Sequence, residues 1–369
     1  MQIYCPNCTT KTSFSAEQWH CECGEAYEPE LREDFDPDKI DVNKYGLWRY
    51  LDLFGVDFNH PYAVLGAGWT PLVLAEFENR KTFLKLEYMS PTSSFKDRGT
   101  EVEINTLIHV GVKSVIDDSS GNAGASLAAY SARAGIAANI FVPHYASENK
   151  KNQIEIYGAR VNSIKGPRQN AKDAAIATVG EGSVYASHAY NPSFLLGQES
   201  IAWEIWEQLD MKAPDWIIVP VGQGVHLLGA WLGFSRLKKA GLIGKTPRMV
   251  AVQPTLLNPI TLMWKENSQT PPEIFPTKPS IAEGLAITKP VRWKRILQAI
   301  HESDGMACAV EEQEIINAQK KLAEKGFYVE PSSAVVLAAL PKVLKFAKDS
   351  DMIVMPLTGS GLKGAPTIE

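Results

Sequence analysis

One lysine, Lys96, sits in the stretch SPTSSFKDRGT (residues 90–100), between the ring of Phe95 and an Asp-Arg-Gly ending, with hydroxyl residues crowded in front. Such an amine is either a solvated cation or a group held for covalent chemistry. The second role needs a neutral amine near pH 7, which burial and a bound cofactor provide by disfavouring the charged form. Three other segments could recognise anions or ring nitrogens. DDSSGNAGAS (117–126) sets Ser119, Ser120, Gly121, Asn122 and Ala123 where a strand gives way to a helix, so that hydroxyls and unpaired N–H groups converge on a ligand carboxylate. Ordinary serine N-capping explains the same residues. PVGQGVHLLG (220–229) repeats the arrangement with Gly222, Gln223, Gly224, Val225 and His226. Its glycines let backbone donors form a phosphate nest, or simply a tight turn. The spacing matches neither the dinucleotide fingerprint nor the P-loop. MPLTGSGLKG (355–364) closes a third strand with Thr358 and Ser360 among glycines, a hydroxyl for a ring nitrogen or a strand-ending turn.

These four segments fit one ligand. Pyridoxal 5'-phosphate needs a lysine, a phosphate nest, a partner for its pyridine nitrogen and a separate seat for the substrate carboxylate.

The elements that must position them follow an α/β rhythm. TFLKLEY (82–88), SVIDDSS (114–120) and ANIFVP (138–143) read as strands, separated by helices at 94–111, 123–135 and 147–158. A second series runs from a helix at 191–209 through DWIIVPVG (215–222), a helix at 224–241 and RMVAVQP (248–254) to MIVMPLTG (352–359). The pattern predicts two doubly wound α/β bodies with ligands at the carboxyl ends of strands. The expected boundaries are 1–30 for a zinc-ribbon-like segment, 31–88 with 191–369 for a large cofactor-binding domain, and 89–190 for a small mobile domain. Residues 28–46 read as a linker and the proline-rich stretch 267–280 as a loop or lid.

Four of the five cysteines, Cys5, Cys8, Cys21 and Cys23, fall in the first 23 residues as C-x2-C and C-x-C-G. In a reducing compartment this spacing favours a closed, structural zinc site over disulfides; four reduced thiols without metal are the alternative. Cys308, alone in sequence, reads as a small buried apolar residue. With 369 residues and 45% hydrophobic content the chain can fill two cores, and a net charge of only −5 gives no reason to expect nucleic acid or an anionic membrane as partner. Neither a signal-peptide core nor a run of about 18 apolar residues is present, so a cytoplasmic protein is expected.

SFKDRG (94–99), SSGNAGAS (119–126), FVP (141–143), YGARV (157–161), EPSSAVVLAAL (330–340) and LTGSGLK (357–363) resemble threonine synthase and its fold-type II pyridoxal-phosphate relatives, the tryptophan synthase β-like architecture. The resemblance covers residues 65–363, and the cysteine-rich start is similar too. It implies that Lys96 joins the cofactor and moves protons at the substrate carbons, that Phe95 lies beside the cofactor ring, and that Asn122 bonds its phenolic oxygen. It implies further that Ser119 to Ala123 hold the substrate carboxylate, Gly222 to His226 the phosphate, and that Thr358 meets the pyridine nitrogen. Asp97 and Arg98 are expected to anchor the segment. The implied activity is elimination or replacement at the β or γ carbon of an amino acid, by a possible homodimer. A β-eliminating serine or threonine ammonia-lyase, a β-replacement synthase and a catalytically silent binding protein are the alternatives.

Three stretches depart from the family. NPSFLLGQES (191–200) stands where N-P-x-R-x-E-G-Q-K-T is usual, with Phe194 at the arginine, Leu196 at the glutamate and Glu199 at the lysine position. A phosphate dianion there loses a bidentate partner and gains repulsion from Glu199. GQGVH (222–226) replaces a G-N-A-G-N type run. SIAEGLAI (280–287) is more similar to threonine dehydratase and serine racemase, and its Glu283 either faces the ligand or is a solvated loop acid. Lys150, Lys151, Arg160 and Arg168 offer another anion grip, or a solvated face.

Overall fold

The computed structural model describes residues 1–30, 35–146, 148–180 and 182–364. Residues 31–34 of the expected linker and Ser147 of the expected helix at 147–158 lie outside them. The chain divides into two compact units, Met1–Trp69 with Ser90–Gln198, and Thr70–Met89 with Glu199–Glu369.

Unit one begins with a three-stranded antiparallel hairpin sheet, β1 (Gln2–Tyr4), β2 (Lys11–Ser13) and β3 (Glu28–Pro29), in the order β2-β1-β3. A short helix α1 (Leu51–Phe54) follows. Its main sheet consists of β6 (Ser114–Asp117), β7 (Ala137–Pro143), β8 (Arg160–Ile164) and β9 (Ser183–Tyr185), β4 and β5 belonging to unit two. It is all parallel, in the order β8-β7-β6-β9. The accompanying helices are α2 (Lys96–His109), α3 (Asn122–Ala134), α4 (Glu148–Glu155) and α5 (Arg168–Ala177). Helix α6 (Pro192–Gln208) crosses the division. The sequence places 31–88 with the large body, whereas 35–69 group with unit one. Buried polar residues of α2 account for this: Asn105 Oδ1 accepts from the Tyr62 and Ala63 amides (2.6 and 3.0 Å), and Glu101 Oε2 from those of Leu65 and Ala67 (3.2 and 3.1 Å). An extended segment whose amides are taken up this way cannot leave the helix without stranding buried carboxyl and amide groups.

Unit two is built on a six-stranded sheet of order β12-β11-β10-β13-β5-β4, using β4 (Leu72–Phe77), β5 (Arg80–Lys85), β10 (Trp216–Pro220), β11 (Arg248–Pro254), β12 (Met306–Val310) and β13 (Ile353–Pro356). Only the edge strand β4 is antiparallel, to β5. In β10, Trp216 and Ile218 join the core beneath α10 (Glu312–Glu324) and α11 (Pro331–Val343). Ile217 and Val219 point the other way and are fully buried as well. Both faces are therefore covered, as a parallel sheet requires. The remaining helices are α7 (Val225–Lys239), α8 (Pro259–Glu266) and α9 (Trp293–Glu302). Among the described residues no helix is long and apolar enough to cross a membrane.

Candidate active site

Lys96 is the first residue of α2, and Ser93, three residues earlier, has φ +61°, a left-handed conformation that turns the chain into the helix. Asp97 fixes that turn: its fully buried carboxylate accepts from the Thr92 amide (2.6 Å), the Thr92 hydroxyl (2.5 Å) and Ser126 Oγ of α3 (2.6 Å). Lys96 Nζ lies 4.5 Å from the Phe95 ring centroid and 5.9 Å from that of Phe194. The side chain is half-buried rather than sealed.

Helix α6 presses on the head of α2. A Cβ at Gly99 would stand 2.6 Å from the Phe194 ring, one at Gly197 would overlap the Arg98 carbonyl oxygen, and Gln198 Nε2 donates to the Phe95 carbonyl (3.2 Å). The glycine of SFKDRG is thus needed for close approach of Phe194, which is fully buried. His188 packs edge-on against the same ring (5.8 Å), its Nδ1 sealed and without a hydrogen-bond partner. Its pKa is driven well below the usual imidazole range by burial, with the charges of Lys96 and Arg168 adding to the effect. A neutral ring near Lys96 is a feature the sequence did not reveal, since a lone histidine has no spacing signature.

Following β6, Ser119, Ser120 and Gly121 lead into α3, whose first residues are Asn122 and Ala123. Gly121 at the N-cap makes no side-chain cap, and its amide lies 3.4 Å from Ser119 Oγ. Gly124 is needed here, because a Cβ would overlap the Ser119 carbonyl oxygen. The structure thus brings Ser119 to Ala123 together in one curled turn at the carboxyl end of β6 and the start of α3.

In unit two, Gly222, Gln223 and Gly224 follow β10, and Gly224 (φ +78°) caps α7, which opens with Val225 and His226. A side chain at Gly224 would strike Ile296, and one at Gly222 the Gly284 carbonyl (2.9 Å). Gln223 Oε1 is occupied by the Val291 amide (3.0 Å), while Val225 and His226 are buried, so the bulkier residues face inward and leave a backbone nest at the helix start. Thr358 follows β13 and is buried, its amide donating to Ser333 Oγ (2.8 Å). The Glu330 carboxylate packs so close beside Gly359 that no Cβ fits, a neighbour of the Thr358 turn that the sequence did not single out.

One expectation changes. Glu199 does not face an anion seat with an unpaired charge: its carboxylate meets Arg236 Nη1 at 3.0 Å, both side chains buried, with the guanidinium 4.9 Å from the Trp203 ring. The pairing offsets the charge of Glu199, and Phe194 and Leu196 carry what remains of that departure. Glu283 is exposed on the short helical turn 283–285. Among the surface cations, Lys151 is bonded to Glu148 (2.9 Å) and Arg160 is exposed on β8.

The sulfurs of Cys5, Cys8, Cys21 and Cys23 lie within 4.8 Å of one another, Cys5–Cys23 and Cys8–Cys21 at 3.5 Å. A tetrahedral ion with Zn–S near 2.3 Å needs sulfurs about 3.8 Å apart, so the donor set and its size suit one. Hydrogen bonding from Thr10 brings the Cys8 thiol down to about 6, whereas burial pushes Cys5 up to about 12. Cys308 is buried, and burial pushes its thiol up to about 11, as suits an inert core residue.

The sequence profile of the family described as pyridoxal-phosphate dependent enzyme matches residues 64–359. The chain is 36% identical to the threonine synthase of Methanocaldococcus jannaschii over 93% of its own length and 88% of that protein's, and 34% identical to that of Methanosarcina acetivorans over 91% and 85%. Its fold is similar to that of a fungal L-serine ammonia-lyase from Rhizomucor miehei (TM-score 0.68, 22% identity, 79% of this chain and 93% of that one). The serine racemase of Dictyostelium discoideum is also similar (TM-score 0.65, 26% identity, 79% and 92%). A lysine at a helix head, a strand-to-helix turn after β6 and a glycine turn after β10 are the kinds of feature such a cofactor requires of its protein, and the chain belongs to the pyridoxal-phosphate dependent enzyme family, among the threonine synthases and their fold-type II lyase relatives.

Proposed function

We propose that the chain catalyses elimination or replacement at the β or γ carbon of an amino acid, with Lys96 as the catalytic residue. Pyridoxal phosphate, when bound, supplies the electron sink for a carbanion at the substrate's α carbon. The amine of Lys96 holds the cofactor and then carries protons to and from the substrate carbons. Phe95 flanks the ring, Asn122 donates to its phenolic oxygen, Ser119 to Ala123 hold the substrate carboxylate, and Gly222 to His226 hold the phosphate. Thr358 offers a hydroxyl to the pyridine nitrogen; unlike a carboxylate it does not enforce a protonated ring, which moderates the sink and suits elimination over transamination. The observation that carries this reading is Lys96 at the head of α2, against two aromatic rings, in the same unit as the carboxylate seat opening α3. Purified protein should show a visible absorption band that borohydride bleaches. Lys96→Ala should lose both the band and turnover while keeping its far-UV spectrum; a wild-type protein that stays colourless with added cofactor refutes the reading.

The threonine synthases among its relatives support O-phosphohomoserine as substrate, with threonine and phosphate as products. Phe194 supports a second reading, β-elimination from serine or threonine, because an apolar ring 5.9 Å from the Lys96 amine offers a phosphate dianion no charge partner. Phosphate release from O-phosphohomoserine, set against ammonia release from serine and threonine, decides between them. The four-cysteine hairpin is read as a structural zinc site, and the protein as cytoplasmic, where such thiols stay reduced.

A further inference from the structure

The turns assigned to the cofactor follow the carboxyl ends of β10 and β13, and a second concavity in unit two lies at the other end of the same sheet. It is a cleft of about 350 Å3 bordered by Trp216, Arg248 and Met306, the first residues of the adjacent strands β10, β11 and β12. The five residues of β10, roughly 16 Å of extended chain, separate it from the turn at 222–224. Ligands of open α/β sheets bind beyond the carboxyl ends of the strands, so this cleft is no part of that crevice. Trp264 of α8, half-buried, and Phe346, three residues beyond α11 and 66% exposed, complete its apolar lining. At Gly305 a Cβ would overlap the Met249 carbonyl oxygen, so the chain just ahead of β12 offers the cleft backbone alone. The volume falls within the range of small-molecule sites.

Two charged side chains also line it. The Arg248 guanidinium lies 4.9 Å from the Trp216 ring centroid, and among the described residues it enters no hydrogen bond or ion pair. Its charge acts through space on Asp351, whose Oδ2 already accepts from the Trp216 indole N–H (2.9 Å) and the Lys348 amide (3.0 Å). That bond occupies the one polar atom of the indole, so Trp216 meets the cleft as an apolar surface. Asp215, the residue before it, is paired with Lys245 (2.8 Å). Asp304 is exposed, and its carboxylate is likewise without a hydrogen bond or ion pair among the described residues. It follows the end of α9 with φ +49°, a left-handed position where glycine or asparagine is usual. The negative end of the helix disfavours a carboxylate there as well. Local energetics oppose aspartate at 304 twice, and a cation bound in the cleft would supply the partner that the helix end does not.

This lining decides what chemistry fits. A simple anion would meet one guanidinium opposed by Asp304 and Asp351, and a simple cation would be repelled by Arg248. A small polar zwitterion would leave three aromatic rings uncovered. We propose that the cleft at the amino ends of β10, β11 and β12 binds a free amino acid with an aromatic or large aliphatic side chain, its carboxylate on Arg248, its ammonium on Asp304 and its side chain among Trp216, Trp264 and Phe346. The site is separate from the catalytic one and holds its ligand by charge pairing and apolar burial, with no covalent step.

The test is calorimetric titration of the cofactor-loaded protein with L-phenylalanine, the visible band being followed in parallel as the reporter of the catalytic site. One molecule per chain should bind with a Kd below about 1 mM, and the band should not move. Two probes each lack one charge: 3-phenylpropionate has no ammonium and 2-phenylethylamine no carboxylate, and each should bind at least about fivefold more weakly. Asp304→Asn suits the left-handed backbone and so keeps the fold; it should weaken L-phenylalanine about three- to fivefold and leave 3-phenylpropionate unchanged. Arg248→Gln should weaken L-phenylalanine about tenfold and make 2-phenylethylamine no weaker. No heat with L-phenylalanine up to about 10 mM, full binding by either single-charge probe, or unchanged affinity in either variant each overturn the proposal. Binding that moves the visible band and survives both substitutions belongs to the catalytic site and overturns it too. If L-phenylalanine fails to bind and Phe346→Ser lowers the mass found by light scattering, the cleft is covered by a second copy of the chain instead.

Discussion

A buried charge at one residue is most informative when its partner is removed. Arg236 and Glu199 neutralise each other out of contact with water, and the guanidinium also covers the Trp203 ring. Replacing Arg236 by Met leaves the Glu199 carboxylate buried without its cation, so a loss of roughly 3–5 kcal/mol in unfolding free energy is expected by denaturant titration. A change under 1 kcal/mol would mean that solvent reaches the site. Gly99 tests the opposite error, overpacking: Ala at 99 pushes a methyl against the Phe194 ring and should cost roughly 1–3 kcal/mol. At this scale the sequence was legible where a motif carries its own spacing, as in the helix starts at Lys96 and Asn122. It was opaque where the partner is distant: nothing in NPSFLLGQES announces that Glu199 turns to a cation in α7, 37 positions away.

Helix α2 shows why element-level reasoning stops short. Its buried residues include Asp97, Arg98, Glu101, Glu103 and Asn105, so it has no apolar stripe, and Asp97, Glu101 and Asn105 find partners on segments outside the helix. Glu101 accepts two backbone amides, yet burial raises its pKa to about 7. The folded state therefore binds this proton more tightly than the unfolded chain, in which the group titrates near its ordinary value of about 4.3. Its contribution to stability is full below that value and lost as pH rises through about 7, by roughly 4 kcal/mol at most. Glu101→Gln keeps one acceptor oxygen for the two amides and should flatten the fall in stability between pH 4.5 and 7, as read by urea midpoints across that range. A variant with the wild-type slope would assign the pH dependence to other groups. The strands with continuous Val/Ile runs, β7, β10, β11 and β13, were readable from sequence. The edge strand β4, and β8, β9 and β12, were not: β4 and β8 are largely half-buried or exposed, β9 has three residues, and Met-Ala-Cys-Ala-Val of β12 holds a single β-branched residue.

Across the whole molecule the sequence supplied the α/β rhythm but not its partition, since grouping 35–69 with unit one depends on side chains of α2 that lie 34 to 43 positions away. The hairpin supplies a further test of how the parts depend on one another. It is not a free appendage: Phe14 and Ala16 pack against the core formed by α2, α3 and the main sheet of unit one, and Trp19 against the cluster around Tyr185. If the four thiolates hold one zinc, the free energy of metal binding becomes folding free energy for the hairpin and, through those contacts, for the unit. Metal analysis should give one zinc per chain. Stripping it with a chelator, or substituting Cys21 by Ser, should lower the calorimetric midpoint by several degrees, since about 2–4 °C accompanies each kcal/mol in a body of this size. Equal midpoints with and without metal would mean that the cysteines close no site on which the fold depends.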